Sequence, residues 1–451
     1  LRTLCEGQGI VIEQLDQPVP AARAALKDYW KAEDVSTEKA EGAYLATGAW
    51  VIRTDQPMGR LARALFERTT TVTHPETYDI TGWSVPLFFG LDAAWSDQSL
   101  ALSLKPLAAA SARVGQVHGD GQVAVLVDAG QHDFPRAVGF AQKYELLCRR
   151  TDEPITIEGR TFATGSLIVH RLRNAHADVE GFIRSVTDAG LDVARVGSGM
   201  TETGPVLGAN ANALMDMPKI GLVRSAPANS LSFGEIWHLL DIASPMPHTL
   251  INADRIASAD LDDFNVLVLP DGMSFSGSAQ DKIKSWVSSG GTLVCVESAA
   301  TWAATSILEL EAPKDPEGLA KRPESNELPY AERRDRADDD RIPGVPMRVA
   351  IDTTHPLSAG VGPFVAVIKD NDNRQRLGRS GYVVGRYDQS PAIGERINDR
   401  NQERLAGAPF MTVHAHGRGR IIAIGDAVTT RGFMHAPARL LLNAIIYGPS
   451  L

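Results

Sequence analysis

The chain has 451 residues, which is too long for a single hydrophobic core and suggests about three domains. Its composition is that of a globular protein, with 43% hydrophobic and 22% charged residues, and its net charge of −10 argues against sequence-independent binding of nucleic acid. No run of about 18 apolar residues is present, so the sequence predicts no membrane span. The chain begins at Leu1 in a pattern typical of a helix end, and we expect a further segment upstream.

Cysteine and histidine usage gives no sign of a metal centre. The three cysteines, Cys5, Cys148 and Cys295, are odd in number and far apart, which excludes a disulfide framework and a cysteine zinc cluster and indicates buried thiols. Of the eleven histidines, only His414 and His416 have a spacing that would place two imidazoles on one side of a strand, and they adjoin a turn. The sequence therefore predicts no metal or cofactor in this chain.

Residues 1–118 form the first predicted unit, a mixed α and β segment. A helix is expected to end before Gly9, strands are expected from Ile10 and at 43–53, and residues 55–66 have the pattern of a turn followed by an amphipathic helix. A group of aromatic residues follows in a loop-rich stretch, and we expect it to close a small core: Tyr78, Trp83, Phe88 and Phe89. Because its first strand begins so abruptly, this unit is expected to pack on a preceding domain.

Residues 119–216 have an alternating α/β pattern and form the second predicted unit. Strands are expected at 123–127 and 191–196, and helices at 134–143 and 179–189. Between them, residues 155–169 predict a hairpin with its tip at Gly159 or Gly165. The tail of the unit, 197–216, is rich in Gly, Asn, Thr and Ala and predicts a linker.

Residues 217–451 form the third predicted unit, and its centre is a strand, helix and strand between positions 265 and 302. Residues 266–269 are an apolar run of the length of a buried strand, Ser278 is the predicted N-cap of the helix, and 293–296 are a second buried strand. Joints this short predict a parallel βαβ crossover, which is right-handed in nearly all proteins.

The remaining elements of the third unit complete a doubly wound, mostly parallel sheet, so the predicted fold class of the chain is multidomain α/β. They are a strand at 220–224, a capping box at 232–235 that opens a helix, strands at 347–351, 364–368, 382–384 and 421–424, and a helix at 439–446. Residues 312–346 depart from the pattern. Their prolines and dense mixed charge predict a solvated loop or, alternatively, a docking segment.

Polar residues follow the strands of the third unit, where open parallel sheets gather their ligands. Asp271 and Gly272 follow the first strand of the central crossover, and Glu297 and Ser298 follow the second. The candidate cleft is completed by two residues after the last strand: Asp426, and Arg431, which is either an anion ligand or a surface salt-bridge partner.

This architecture resembles that of class I glutamine amidotransferases, which place a cysteine on a tight strand-to-helix turn beside an oxyanion-binding turn and a late histidine. The segment 270–272 stands where the oxyanion turn belongs, and Ser298 stands at or next to the elbow. However, Cys295 lies inside the strand, Glu297 and Ala300 replace the elbow glycines, and Asp426 follows the last strand where that family has its histidine. The resemblance therefore implies a flavodoxin-like fold with a degenerate, non-hydrolytic cleft.

A second resemblance covers most of the chain in order. The segments DQPMGRLARALFE, YDITGWSVPLFFGLDAAW, GEIWHLLD, NVLVLPDG, WVSSGGTLV and GRGRIIAIGDAVTTRGFMHAPARLLLNAIIYG resemble the region after the catalytic domain in large bacterial proteins of the zinc carboxypeptidase (carboxypeptidase A-like) family. The resemblance implies a periplasmic or secreted peptidase with an upstream catalytic domain that holds zinc. The family's His-x-x-Glu zinc motif has no match here, so no catalytic or metal residue is carried over.

Three functional hypotheses follow. The first is an accessory region that packs beside a zinc carboxypeptidase domain of the same polypeptide and stabilises it, gates its cleft, or binds its peptide or glycan substrate. The second is an amidotransferase-like or sugar-acting hydrolase that uses Ser298, Glu297 and Asp426. The third is a docking module that acts through the charged insertion.

Overall fold

The computed structural model describes residues 1–20, 26–30, 43–70, 82–108, 113–319, 322–323, 325–394 and 397–451, and they form a mixed α/β structure.

The first 118 residues contain short elements. The helices are Arg2–Gly7 (α1), Gly59–Phe66 (α2) and Val85–Phe88 (α3), and the strands are Glu13–Leu15 (β1), Val19–Pro20 (β2), Lys27–Asp28 (β3), Ala43–Leu45 (β4), Trp50–Val51 (β5), Ala94–Trp95 (β6), Leu104–Pro106 (β7) and Val117–His118 (β8).

The first predicted unit is confirmed in part. The amphipathic helix is present, but the first strand begins at Glu13 rather than Ile10. The single strand expected at 43–53 is wrong, because a turn at Gly48, with φ +90°, divides it into β4 and β5, which belong to different sheets. Of the aromatic group, Phe88 is fully buried and Trp83 is 39% exposed, whereas Tyr78 lies outside the described residues.

The second unit folds around a five-stranded sheet of order β10-β13-β9-β14-β8. Its further strands are Ala124–Val127 (β9), Arg149–Arg150 (β10), Ile155–Ile157 (β11), Arg160–Phe162 (β12), Leu167–His170 (β13) and Val193–Val196 (β14), and its helices are Phe134–Lys143 (α4) and Val179–Asp188 (α5). The hairpin joins β11 to β12 with Gly159, at φ +70°, in its turn. Of the two predicted tips, Gly159 is therefore confirmed. Gly165 is not the tip of this hairpin, because β13, which follows it, pairs with β9.

The third unit folds around a nine-stranded sheet. Its strands are Ile220–Arg224 (β15), His248–Asn252 (β16), Val266–Leu269 (β17), Thr292–Val296 (β18), Val345–Ile351 (β19), Phe364–Lys369 (β20), Gly381–Ala392 (β21), Pro409–His416 (β22) and Gly419–Ile424 (β23). Its helices are Ser230–His238 (α6), Gly277–Ser288 (α7), Ser298–Ser306 (α8), Tyr330–Asp340 (α9), Asp399–Leu405 (α10) and His435–Tyr447 (α11).

The order of this sheet is β16-β15-β17-β18-β23-β22-β21-β19-β20. The first five strands of this sheet pair in parallel. If these five are numbered along the chain, their order across the sheet is 2-1-3-4-5, which doubly wound sheets use. The predicted parallel pairing of β17 with β18 is confirmed. The other four strands extend the sheet by antiparallel pairing, so the carboxyl ends of the parallel strands lie beside a long antiparallel extension.

Two predicted helix starts in the third unit are wrong. Helix α6 begins at Ser230 because the Asn229 side chain accepts the N–H of Leu231 as its N-cap, so Glu235 has no part in a capping box. Helix α7 begins at Gly277 after the extended Ser276, so Ser278 lies inside the helix.

The charged insertion is also more regular than predicted. Residues 330–340 form α9, which buries none of its residues, rather than a loop. Pairs of opposite charge four residues apart stabilise such an exposed helix, as between Arg336 and Asp340, which are 2.5 Å apart.

A continuous core joins the predicted units. One cluster of buried side chains includes Leu87 from the first, Phe134 from the second and Ile220 from the third. Helix α11 carries polar links within this core, since Tyr447 donates a hydrogen bond to the carbonyl of Gly165 at 2.8 Å. The boundaries at 118 and 216 stay predictions.

Candidate functional site

The turn between β18 and α8 is a strained elbow, and the residue at its tip is Glu297. Its backbone angles are φ 53° and ψ −118°, a combination that a residue with a side chain rarely adopts and that clusters at functional sites. The same strand-turn-helix geometry presents the nucleophile in α/β-hydrolases. The Glu297 N–H donates to the carbonyl of Ile424 at 2.8 Å, so β23 holds the elbow in place. Ser298 lies next to the tip, as the first residue of α8.

Ser298 is tied to the turn after β17. Its hydroxyl donates to Asp271 Oδ1 and accepts the N–H of Gly272 at 2.8 Å. The other Asp271 oxygen, Oδ2, accepts from Asn229 Nδ2 at 3.1 Å. The structure thus brings Asp271, Gly272 and Ser298 together as predicted. However, the N–H that an oxyanion turn would offer is already used, and no histidine of the described residues hydrogen bonds to Ser298.

Glu297 is surrounded by other carboxyl groups. Burial raises the pKa of its carboxyl to about 9, and the charges of Asp271, Asp370 and Asp426 add to the rise, whereas Lys369 opposes it. A carboxyl with this pKa keeps its proton at neutral pH. The Glu297 carboxyl at the elbow is therefore neutral and carries an O–H that can donate a hydrogen bond.

Behind the elbow lies a buried ion pair that the sequence analysis missed. Lys369 Nζ is 2.7 Å from Asp426 Oδ1, and both side chains are 0% exposed. Asn371 Oδ1 accepts a second hydrogen bond from Lys369 at 2.9 Å, and the Tyr387 hydroxyl donates to Asp426 Oδ2. Burial raises the pKa of both Asp426 and Tyr387, while the Lys369 ammonium counteracts the rise for Asp426. The only sequence signal was a lysine at the end of the apolar run FVAVIK.

The backbone of Arg431 is held by the carboxylate of Glu235. It has φ 51°, and its N–H donates to Glu235 Oε1 at 2.9 Å. The second Glu235 oxygen, Oε2, accepts from the Thr429 hydroxyl at 3.3 Å. The carboxylate that the sequence assigned to a capping box therefore fixes the loop after β23. Anion binding by the exposed Arg431 side chain stays a prediction.

Cys295 and His414 are both buried in strands of the described part of the chain. Cys295 is 0% exposed, and burial raises the pKa of its thiol, so it is no nucleophile. Among these residues, no group of three or more His, Cys, Asp or Glu side chains is arranged to hold a metal ion. His414 is 2% exposed within β22, and burial lowers the pKa of its imidazole. No helix in the described part of the chain is long and apolar enough to cross a membrane.

The sequence matches no protein-family model and no curated protein. Part of it is similar to solved structures. A cytoplasmic protein from Salmonella typhimurium is 13% identical with a TM-score of 0.32, over 50% of this chain and 97% of that one. A β-galactosidase from Bacillus circulans is 13% identical with a TM-score of 0.29, over 52% of this chain and 31% of that one. A ThuA-like protein from Parabacteroides merdae is 13% identical with a TM-score of 0.34, over 51% and 89%. Similarities of this size carry no argument about function.

The buried ion pair predicts an asymmetric response to substitution. Lys369→Met leaves Asp426 buried without its counter-charge and is expected to destabilise the protein by about 3–5 kcal/mol. The double variant Lys369→Met/Asp426→Leu removes both charges and is expected to be more stable than Lys369→Met alone. Lys284→Met, which breaks the exposed pair with Glu309, is the matched control and is expected to change stability by less than about 1 kcal/mol. Urea unfolding measures all three, and equal effects of Lys369→Met and Lys284→Met would contradict the assignment.

The protonated elbow predicts a pH dependence. Folding raises the pKa of Glu297 from 4.5 to about 9, so the folded chain holds a proton that the unfolded chain releases. The stabilising contribution of Glu297 is complete below about pH 4.5 and is lost as the pH rises towards 9. The melting temperature of the wild type should therefore fall relative to that of Glu297→Gln between about pH 5 and pH 9.

The matched control is Glu309→Gln. An exposed lysine, Lys284, lowers the pKa of Glu309, so this carboxyl is ionised in both states throughout that range. The difference between the wild type and Glu309→Gln should stay constant there. A constant difference for Glu297→Gln as well would show that Glu297 is ionised at the elbow.

Proposed function

We propose that residues 217–451 are a glutamine amidotransferase-like domain of the flavodoxin-like type, in which Glu297 occupies the position of the nucleophile. The observation that carries this proposal is the elbow itself, because Glu297 has the backbone angles of an elbow residue and follows a central strand of a 2-1-3-4-5 sheet. The function that we infer is ligand binding by an accessory, non-catalytic region of a larger protein.

The chemistry at the elbow supports binding over covalent catalysis. A protonated carboxyl is a poor nucleophile, and the pKa of Glu297, about 9, keeps the proton on it. Ser298 has a carboxylate acceptor, Asp271, but it has no imidazole partner among the described residues. The Gly272 N–H donates to the Ser298 hydroxyl, so it is not available to stabilise an oxyanion.

The charges around the elbow favour a neutral ligand with hydroxyl groups, such as a glycan. Asp271 and Asp370 are close enough to raise the pKa of Glu297, and their charges repel anions. The neutral Glu297 carboxyl can donate one hydrogen bond and accept others, while the two aspartates only accept. Sugar hydroxyl groups both donate and accept, so they satisfy both kinds of group at once.

Binding of neutral oligosaccharides, followed by saturation-transfer NMR and calorimetry, tests this proposal. Glu297→Leu is expected to weaken binding at least tenfold because it removes the donor and the acceptor, whereas Glu297→Gln keeps both and should bind within about threefold of the wild type. Glu309→Gln is the surface control. Wild-type affinity in Glu297→Leu, or no binding by the wild type to any oligosaccharide, would overturn the proposal.

A sugar-acting hydrolase is the second candidate, and the raised pKa of Glu297 favours it because a general acid must hold its proton at the working pH. The same variants separate the two functions. Hydrolysis of chromogenic glycosides would be abolished by Glu297→Gln, which cannot release a proton, and reduced by Ser298→Ala. Binding alone would survive Glu297→Gln and show no turnover in any variant.

We also propose that the parent protein belongs to the zinc carboxypeptidase family, with an upstream catalytic domain that holds zinc. This proposal rests on the sequence segments alone, and with it go the partnership with that domain and a periplasmic or secreted location. Peptide mapping of the native gene product by mass spectrometry tests it. A His-x-x-Glu segment upstream of Leu1 is expected, and a native product that begins close to Leu1 would contradict this parentage.

A further inference from the structure

A second cavity lies away from the elbow, where the three predicted units meet. Its volume is about 560 Å³, which is in the range of pockets that hold small organic ligands. Its walls come from residues 89–92 of the first unit, 130–133 of the second, and 360–364 and α11 of the third. Asp92 and His132 are exposed at its rim, so the cavity is open to solvent.

A buried guanidinium group without a counter-ion lies in the wall of this cavity. Arg439 is 6% exposed and makes no salt bridge with any described residue. Its Nη1 donates to the carbonyls of Gln131 at 3.3 Å and His132 at 3.1 Å, its Nη2 donates to Ala129 at 2.9 Å, and its Nε donates to Asn443 at 3.0 Å.

The acceptors of these four bonds are all neutral. The guanidinium also lies over the Phe134 ring at 5.2 Å, and Asp128 and Asp133 favour its charged form without forming a salt bridge with it. Guanidinium has five N–H groups, and the second N–H of Nη2 has no acceptor among the described residues. A β-carbon placed on Gly360, another residue of the cavity wall, would lie 3.0 Å from Nη2. A buried charge without a direct ion pair is destabilising, so this position is suited to an anion from outside.

Negative charge lies across the same cavity. Asp92 and Asp133 both line it, and Asp133, although it precedes α4, makes no side-chain capping bond. The negative charge of Asp133 favours the protonated forms of both Arg439 and His435, since it acts to raise the pKa of each. The cavity therefore offers one cationic and two anionic groups, which match a ligand that carries both charges.

The remaining walls are apolar and aromatic. Trp30 and Phe364 stack with their ring centroids 6.3 Å apart, and Phe89 meets the His435 ring edge to face at 4.3 Å. Burial, together with the neighbouring His132, lowers the pKa of His435 to about 4, so its ring is neutral at pH 7 and adds to this apolar wall. Rings in the wall of a cavity are suited to a flat, apolar body.

We propose that this cavity binds a zwitterionic ligand with an apolar or aromatic side chain, an amino acid or short peptide. Its carboxylate faces the Arg439 guanidinium, its ammonium group faces Asp92 and Asp133, and its side chain lies between the Trp30 and Phe89 walls. This site is separate from the Glu297 cleft and takes a different class of ligand.

Calorimetric titration of the protein with L-phenylalanine and three related compounds tests the proposal. The ligand is varied rather than Arg439, because Arg439 also hydrogen bonds to the backbone and its replacement could unfold the protein. L-phenylalanine is expected to bind. L-phenylalaninamide lacks the carboxylate, N-acetyl-L-phenylalanine lacks the ammonium group and glycine lacks the ring, and each should bind at least tenfold more weakly.

Variants of the chain complete the test. Asp92→Asn/Asp133→Asn should weaken L-phenylalanine at least tenfold and leave N-acetyl-L-phenylalanine unchanged, whereas Asp188→Asn, on the exposed end of α5, should bind like the wild type. Glu297→Leu should leave this binding unchanged, so that failure of one site is distinguishable from failure of the other. No binding of L-phenylalanine at millimolar concentration, equal binding of the amide, or wild-type binding by the double variant would overturn the proposal.

Discussion

Burial of charge is the constraint on which the cleft depends. Lys369 ends β20 and Asp426 follows β23, and these two strands are four positions apart in the sheet. Four strand spacings of about 4.8 Å amount to about 19 Å in a flat sheet, which is too far for a contact of 2.7 Å. The antiparallel extension must therefore curl back over the end of β23. The pair joins the two ends of this curl, and burial beside it keeps the Glu297 carboxyl protonated although Lys369 itself opposes this.

The backbone conformation of the elbow does not depend on the chemistry of the side chain at its tip. Its positive φ is held by the Glu297 N–H bond to β23 and by small, buried residues at the start of α8, Ala299 and Ala300. None of these contacts depends on which side chain stands at the tip. A fold can therefore keep the turn while the nucleophile, its base and the free oxyanion donor are absent, and the site that remains can hold hydrogen bonds but has no activated nucleophile.

Sequence periodicity predicted the parts of the fold that rest on local patterns. The strands β15 and β17 and the helix α4 were predicted with the bounds that they have, because each is a buried run or an amphipathic stretch with clear ends. Strand β22 was not predicted as an element of its own and β21 was predicted too short, since polar residues interrupt both and register shifts interrupt the pairing of β21. Asp271, Glu297 and Ser298 were found because they follow buried strands, whereas the contact of Lys369 with Asp426 follows from the curl of the sheet, which no local pattern encodes.

Two buried cations in this chain are compensated in different ways. Lys369 has its counter-charge within the protein, so its surroundings are complete without a ligand. Arg439 donates hydrogen bonds only to neutral carbonyl and amide oxygens, and its guanidinium lies over the Phe134 ring at 5.2 Å. Asp128 and Asp133 favour its charged form, but neither forms a salt bridge with it. The bonds from Arg439 to carbonyl groups join α11 to the loop after β9. A neutral donor in place of Arg439 could make such bonds without the free-energy cost of burying a charge. The carboxylate of the proposed ligand would supply the direct counter-charge that these neutral acceptors lack.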